Sequence, residues 1–249
     1  MKPFVHDITG LDYLQAFTCV KHMPYSLLLD SSDRNHPNSR YSFAMCMPIE
    51  TIQAKDGKIS ITNWEQRLSF TGDPFALLQS RLKAWVDFAP RLPNLPPFQG
   101  GAAGLFGYDL GRYIEDLPDL ARNNSAVPDM AIGIYDQVLA HDHLLKKTYI
   151  FTHAETEAEA VKKREFLIKL MDKSIVIPPY NAQKLDWTSN FTEDKYKQQV
   201  QRVIDYINAG DIFQANISQR FEAELPDAFD PFIHYMHLRE VSPAPFSAY

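Results

Sequence analysis

Gln99-Gly-Gly-Ala-Ala-Gly-Leu-Phe-Gly-Tyr-Asp-Leu-Gly-Arg-Tyr-Ile-Glu-Asp-Leu-Pro118 holds five of the ten glycines in the chain, at positions 100, 101, 104, 107 and 111. Glycine serves where a backbone takes positive φ or lets another chain come close, so this cluster says that the main chain itself meets something here. Pro90, Pro93, Pro96 and Pro97 precede it, and no strand or helix interior accepts prolines at that density. A phosphate cradle would need Gly-Lys-Ser/Thr or the dinucleotide spacing Gly-x-Gly-x-x-Gly. Gly101-x-x-Gly104-x-x-Gly107 has neither. The spacing predicts a bent strand pair with tight backbone packing. Asp109, Glu115 and Asp116 could form a carboxylate pair for acid–base work, against the plainer reading of solvated acids beside a loop.

Working outward, the early chain reads as β-rich. A helix over 11–21 leads to a short buried strand from Met23 through Leu29, then a polar loop from Asp30 to Ser39. Tyr41, Phe43, Met45 and Met47 alternate with Ser42, Ala44 and Cys46 as in a strand. Asp56-Gly57 between Ile52-Gln-Ala and Ile59-Ser-Ile signals a hairpin. Asp73-Pro74 opens a helix to about Phe88, with Phe75, Leu77, Leu78, Leu82, Trp85 and Val86 as its apolar stripe. Beyond the glycines, Met130–Tyr135, Gln137–Ala140 and Thr148–Phe151 read as strands, with His141-Asp-His143 at an exposed hairpin tip.

Glu155 to Lys173 reads as a helix with Val161, Phe166, Leu167 and Leu170 on one side. The Pro178-Pro179 segment is the best linker, dividing the chain into 1–178, a connection over 179–190, and 191–249. Thr192 caps a helix that Gly210 ends. Phe213, Ala215, Ile217 and Phe221 then alternate with Gln214, Asn216, Ser218 and Arg220, a strand whose polar face suits a pocket floor or plain solvent. Asp230-Pro231 opens a last helix with Ile233, Met236 and Leu238 inward. His234, His237 and Glu240 lie along that helix, but an amphipathic surface explains them better than a metal site. A nascent strand follows at 246–249, and it and the strand over 211–221 are expected to keep unpaired edges.

Whole-chain properties narrow the class. At 249 residues the chain can bury a sizeable core. A formal net charge of −6 and a pI near 5.7 disfavour nucleic acid and anionic membranes as partners. No apolar run is long enough for a membrane span or a secretion signal, so a cytoplasmic setting is expected. Cys19 and Cys46 are too few and too far apart for a disulfide framework or zinc cluster.

Several motifs together carry a family resemblance. They are His22-Met-Pro-Tyr, Leu28-Leu-Asp-Ser31, His36-Pro-Asn-Ser-Arg-Tyr41, Pro97 through Arg112, Pro128 through Asp136, Gly210 through Arg220, and Ala244-Pro-Phe-Ser-Ala248. The chain resembles the N-terminal half of the chorismate-aminating large subunits, component I of aminodeoxychorismate synthase, which is kin to component I of anthranilate synthase. The His36–Arg40 and Gly104–Arg112 versions look more like the aminobenzoate branch.

The resemblance implies an α+β, antiparallel-sheet-rich, two-lobed fold, incomplete at its C-terminus. It implies replacement of a hydroxyl of chorismate by ammonia drawn from a separate glutamine amidotransferase subunit, giving 4-amino-4-deoxychorismate for folate synthesis. Mg²⁺ is the implied cofactor. The family's acid–base glutamate, nucleophilic lysine and Mg²⁺ ligands would follow Tyr249, so no catalytic residue is assigned, and the 249 residues alone are expected to be inactive. An aromatic amino acid pocket does carry over, with L-tryptophan as occupant, onto Ser31, Asn38, Ser39, Arg40, Tyr41, Pro245, Phe246 and Ser247. Hydroxyls and carbonyls would take the ammonium, and aromatic and proline surfaces the indole. Two alternatives stand beside this, an anthranilate synthase component I and a non-catalytic module that binds tryptophan or the amidotransferase.

Overall fold

The structure, a computed structural model, describes residues 1–88, 91–118, 125–182 and 184–249, with the side chains of 84–88 outside that description. Pro90 and the side chains of Trp85 and Val86, named in the sequence reading, therefore lie outside that description. The chain divides into two units, Met1–Ile177 with Tyr235–Tyr249, and Pro178–His234.

The first unit is built on two antiparallel sheets. One contains β1 (Lys2–Asp7), β2 (Leu27–Asp30), β3 (Tyr41–Met45), β9 (Gln137–Asp142), β10 (Lys147–Ala154) and β13 (Ser247–Ala248), in the order β1-β10-β9-β3-β2-β13. The other contains β4 (Glu50–Lys55), β5 (Lys58–Asn63), β6 (Arg67–Thr71), β7 (Gly101–Phe106) and β8 (Met130–Tyr135), in the order β6-β5-β4-β8-β7. Helices α1 (Tyr13–Val20), α2 (Pro74–Phe88) and α3 (Glu157–Met171) also belong here, with a 3-10 turn over Tyr108–Tyr113. The alternation expected of half-buried strands is plain in β4, where Glu50, Ile52 and Ala54 are buried. Ile52, Ile59, Met130, Ile132 and Ile134 form one core cluster with Leu78 of α2, and Met45, Ala103, Tyr135 and Val138 form another.

The glycine stretch is a close backbone approach. Gly104 has φ +150° and pairs with Ile132, and a Cβ built there would stand 2.1 Å from the Ala131 carbonyl oxygen. Only a residue without Cβ lets β7 lie this close to β8. The predicted hairpin at Asp56-Gly57 forms too, with φ +48° and +76° at its two turn residues. Buried charges are paired: Arg81 holds Glu50, and Lys163 Nζ donates to Asp136 at 2.8 Å and to the His153 carbonyl at 2.8 Å.

Four local expectations are corrected. β2 begins at Leu27 instead of Met23, because Pro24 has no N–H for a ladder and Tyr25 sits at φ +51°. In α3 the inward residues are Ala160, Leu167 and Met171, while Phe166 is exposed. In α5 (Pro231–Val241) Leu238 is exposed, since Tyr235 and Arg239 take the inward positions of the last turns. The nascent strand at 246–249 is paired: β13 lies antiparallel on β2.

The second unit contains α4 (Glu193–Ala209) and a two-stranded ladder of β11 (Thr188–Ser189) and β12 (Phe221–Glu222). Thr192 Oγ1 accepts from the Lys195 N–H at 3.4 Å, and Gly210 closes α4 at φ +80°. The strand expected over 213–221 is reduced to its last residue and Glu222, because a strand exists only where a neighbour completes its ladder and 213–220 has none among the described residues. Among the described residues no helix is long and apolar enough to cross a membrane.

Candidate functional site

Strand pairing brings the sequence-assigned pocket residues of the first unit together from both ends of the chain. Ser31 follows β2, Tyr41 opens β3, and Pro245 precedes β13. The Ser31 hydroxyl stands 2.8 Å from the Tyr41 carbonyl and 2.9 Å from the Pro245 carbonyl. One hydroxyl proton serves one of these carbonyls at a time, so three oxygens converge with spare acceptor capacity, the complement of an ammonium with three N–H donors. Ser39 is buried, and among the described residues its hydroxyl has no hydrogen-bond partner. A buried hydroxyl left unmatched calls for explanation in a folded protein, and a ligand contact supplies one.

The remaining assigned residues are distributed differently. Ser247 Oγ donates to the Asp30 backbone carbonyl at 3.1 Å. Arg40 turns to the sheet, where its Nη2 is 3.0 Å from Asp142 Oδ2 and its guanidinium lies 4.8 Å from the centre of the Tyr41 ring. Asn38 is exposed, its backbone N–H donating to His36 Nδ1 at 3.2 Å. Phe246 is 75% exposed. Ser31, Tyr41 and Pro245 are thus joined directly, Ser247 is tied to the neighbouring Asp30, and Asn38 and Phe246 are exposed.

Sequence reasoning missed the charged floor next to Ser31. Asp30 is buried and accepts four hydrogen bonds: from Tyr13 OH at 3.0 Å and Ser42 Oγ at 2.9 Å on Oδ1, and from Arg239 Nε at 2.9 Å and Tyr235 OH at 3.3 Å on Oδ2. Burial pushes its carboxyl up, but the Arg239 charge and the hydrogen bonds from Arg239, Ser42 and Tyr13 outweigh this and leave it below the ordinary carboxylate value. Burial pushes the Tyr235 phenol up to about 12. Arg34 adds Nη1 to the Ser31 carbonyl at 2.5 Å and Nη2 to Tyr13 OH at 2.7 Å. The available signal was an acid ending an otherwise apolar Leu27-Leu-Leu run and an arginine four residues after a tyrosine on a helix.

His141-Asp-His143 is not an exposed tip. Asp142 is buried, Tyr13 stacks on His141 with centroids 5.0 Å apart, and His143 Nε2 is 2.8 Å from Ser42 Oγ. The first turn of α1 covers this end of the sheet because Asp12 caps it, accepting from Leu14 and Gln15 at 2.9 and 2.8 Å. Ser42 gives its proton to Asp30, so His143 donates through Nε2 as a neutral ring. Burial first, then the Arg34 charge and His141, bring the His143 pKa down to about 3 against the pull of Asp30 and Asp142. Among the described residues no group of three or more His, Cys, Asp or Glu could hold a metal ion.

The profile of the family described as chorismate binding enzyme matches residues 26–249. The chain belongs to the chorismate binding enzyme family. The chain is 35% identical over 235 residues to aminodeoxychorismate synthase component 1 of Escherichia coli, covering 94% of the chain and 49% of that protein. It is 32% identical to anthranilate synthase component 1 of Thermus thermophilus, covering 91% of the chain and 47% of the relative. The crystal structure of anthranilate synthase component I from Streptococcus pneumoniae matches its fold with a TM-score of 0.69 at 24% identity, over 81% of this chain and 45% of that one. The chain thus spans about half the length of the curated relatives it matches. Its antiparallel sheets together with its helices are the α+β architecture expected of the family.

Proposed function

We propose that the chain is part of an aminodeoxychorismate synthase large subunit, which converts chorismate and ammonia to 4-amino-4-deoxychorismate in para-aminobenzoate formation. A glutamine amidotransferase subunit supplies the ammonia in this reading, and the setting is cytoplasmic. The observation that carries it is the 35% identity to the Escherichia coli aminodeoxychorismate synthase component across 94% of the chain. The Gly104–Arg112 motif looks more like the aminobenzoate branch of the family. Mg²⁺, the cofactor the family resemblance implies, finds no matching donor set among the described residues.

The proposal gives the first unit a separate task, binding L-tryptophan. The α-ammonium would meet Ser31 Oγ and the Tyr41 and Pro245 carbonyls, and the unpartnered Ser39 hydroxyl would gain a polar partner. Product analysis tests the reaction. The gene product carrying these residues, supplied with chorismate, ammonium and Mg²⁺, is predicted to release 4-amino-4-deoxychorismate. Release of anthranilate would overturn the branch assignment, and untouched chorismate would overturn the enzymatic reading.

A further inference from the structure

We propose that Asp30 and Arg239 are positioning residues: their ion pair latches the 244–249 segment onto β2 and so holds the two halves of the amino-acid pocket at working distance. This rests on the tryptophan-pocket reading above for its ligand, but the latch itself can be observed without one.

The backbone ladder that joins this segment to β2 is short. β13 has two residues, with Ser247 opposite Asp30 and Ala248 opposite Leu29. Outside that ladder, Leu28 and Tyr249 exchange bonds at 2.9 Å each way, the Ser32 and Asp33 N–H groups donate to the Ala244 carbonyl at 2.9 and 3.1 Å, the Ser31 hydroxyl meets the Pro245 carbonyl at 2.9 Å, and the Tyr249 ring packs against Phe17 and Tyr235 with centroids 5.9 and 5.5 Å apart. Ala244 N–H returns one bond to Ser32 Oγ at 2.9 Å. A two-rung edge ladder is too short to be stable by itself. The Pro245 carbonyl, half of the proposed ammonium site, belongs to this segment with its two-rung ladder.

The ion pair pins it from the side. Tyr235 and Arg239 are four residues apart on α5, so both project from one face and both reach Asp30 Oδ2, at 3.3 and 2.9 Å. Tyr235 OH also stands 3.2 Å from Ser247 Oγ. The chain from Arg239 to Ser247 is therefore anchored at both ends to one residue, since Ser247 Oγ holds the Asp30 carbonyl while Arg239 holds its carboxylate. On the other side, Asp30 Oδ1 orients Ser42, whose oxygen accepts the Ser31 N–H at 3.1 Å. One carboxylate thus fixes both Ser31 and the segment that brings Pro245 to it. The side chains of Asp30 and Arg239 are 0% and 13% exposed, so solvent screens the pair little. Removing one partner leaves the other charge buried and uncompensated.

The test compares Asp30→Asn, Arg239→Gln and the double variant with Lys163→Gln, which breaks the Lys163–Asp136 pair of the same unit without touching the pocket. Calorimetry with L-tryptophan and hydrogen exchange at Leu28, Ser32, Asp33, Ala244 and Tyr249 are the readouts. Each single variant is expected to weaken tryptophan binding about tenfold or more and to cut protection of those amides by a similar factor. Lys163→Gln is expected to lower Tm while leaving affinity and those amides unchanged. The double variant is expected to fall short of the summed single losses, because no lone charge remains. Unchanged affinity and protection in folded single variants would overturn the latch. So would equal losses in Lys163→Gln, which would make the effect one of general stability. If the unaltered chain takes no tryptophan, the pocket reading fails, and exchange alone decides the latch.

Discussion

Replacing Gly104 by alanine places a methyl carbon 2.1 Å from the Ala131 carbonyl oxygen and 3.0 Å from the Ile132 Cα, both fixed backbone atoms of the paired strand. No rotamer change relieves such a contact, so β7 must lift off β8 around the Gly104–Ile132 pair, with Ala103–Gly133 and Leu105–Ala131 on either side. The backbone strain of a side chain at φ +150° costs about 1–3 kcal/mol. Displaced ladder hydrogen bonds add about 1 kcal/mol each. Losing two or three bonds gives a total of about 3–6 kcal/mol, a large part of the ~5–15 kcal/mol that holds a typical domain together. Urea denaturation followed by far-UV circular dichroism reads this as a lower midpoint, and heating as a Tm drop on the order of 10 °C. Gly210→Ala is the control, because its φ of +80° carries strain but its Cβ would meet nothing within 4 Å, so it should cost only about 1 kcal/mol. A Gly104→Ala protein within about 1 kcal/mol of the parent would refute the close-approach account of the glycine stretch.

Ile132→Ala, at a fully buried core position on β8, should lose about 2–5 kcal/mol in the same urea titration. The folded-state pKa of His143 lies below its unfolded value of 6.5, so the unfolded chain binds more protons between that value and about 3 and stability falls as pH drops through this window. A His143→Gln variant should show a flatter pH–stability curve there. Asp30, whose carboxyl is also held low, adds a loss below its unfolded value of 3.8 that Asp30→Asn should remove. Ser39→Ala should leave Tm within about 1 kcal/mol equivalent, because its hydroxyl has no partner to lose, yet should weaken tryptophan binding in calorimetry.

Local signals carried much of the fold in the sequence. Asp56-Gly57, Asp73-Pro74, Thr192 and Gly210 each state a backbone geometry through their own chemistry, and the structure places turns or helix ends at all four. Residues 213–220 alternate like a strand, but alternation reports only a two-faced extended chain, and a ladder depends on a neighbour that no local pattern encodes. The pocket shows the same division. Ser31, Tyr41 and Pro245 were named from motifs, whereas the Asp30–Arg239 pair, 209 residues apart in sequence, becomes visible only when β13 is laid on β2. His141 and His143 misled because residues next to a hairpin tip are exposed by default, and the contacts of Tyr13 from α1 with both rings show that this side of the hairpin is covered while Leu144 and Leu145 at the tip stay exposed.

Calorimetric titration of the 249-residue chain with L-tryptophan tests the central claim most directly. The account predicts saturable binding at one molecule per chain, weakened by Ser31→Ala, because the Ser31 hydroxyl and the Tyr41 and Pro245 carbonyls form its ammonium site. The absence of saturable heat from a folded chain would contradict it.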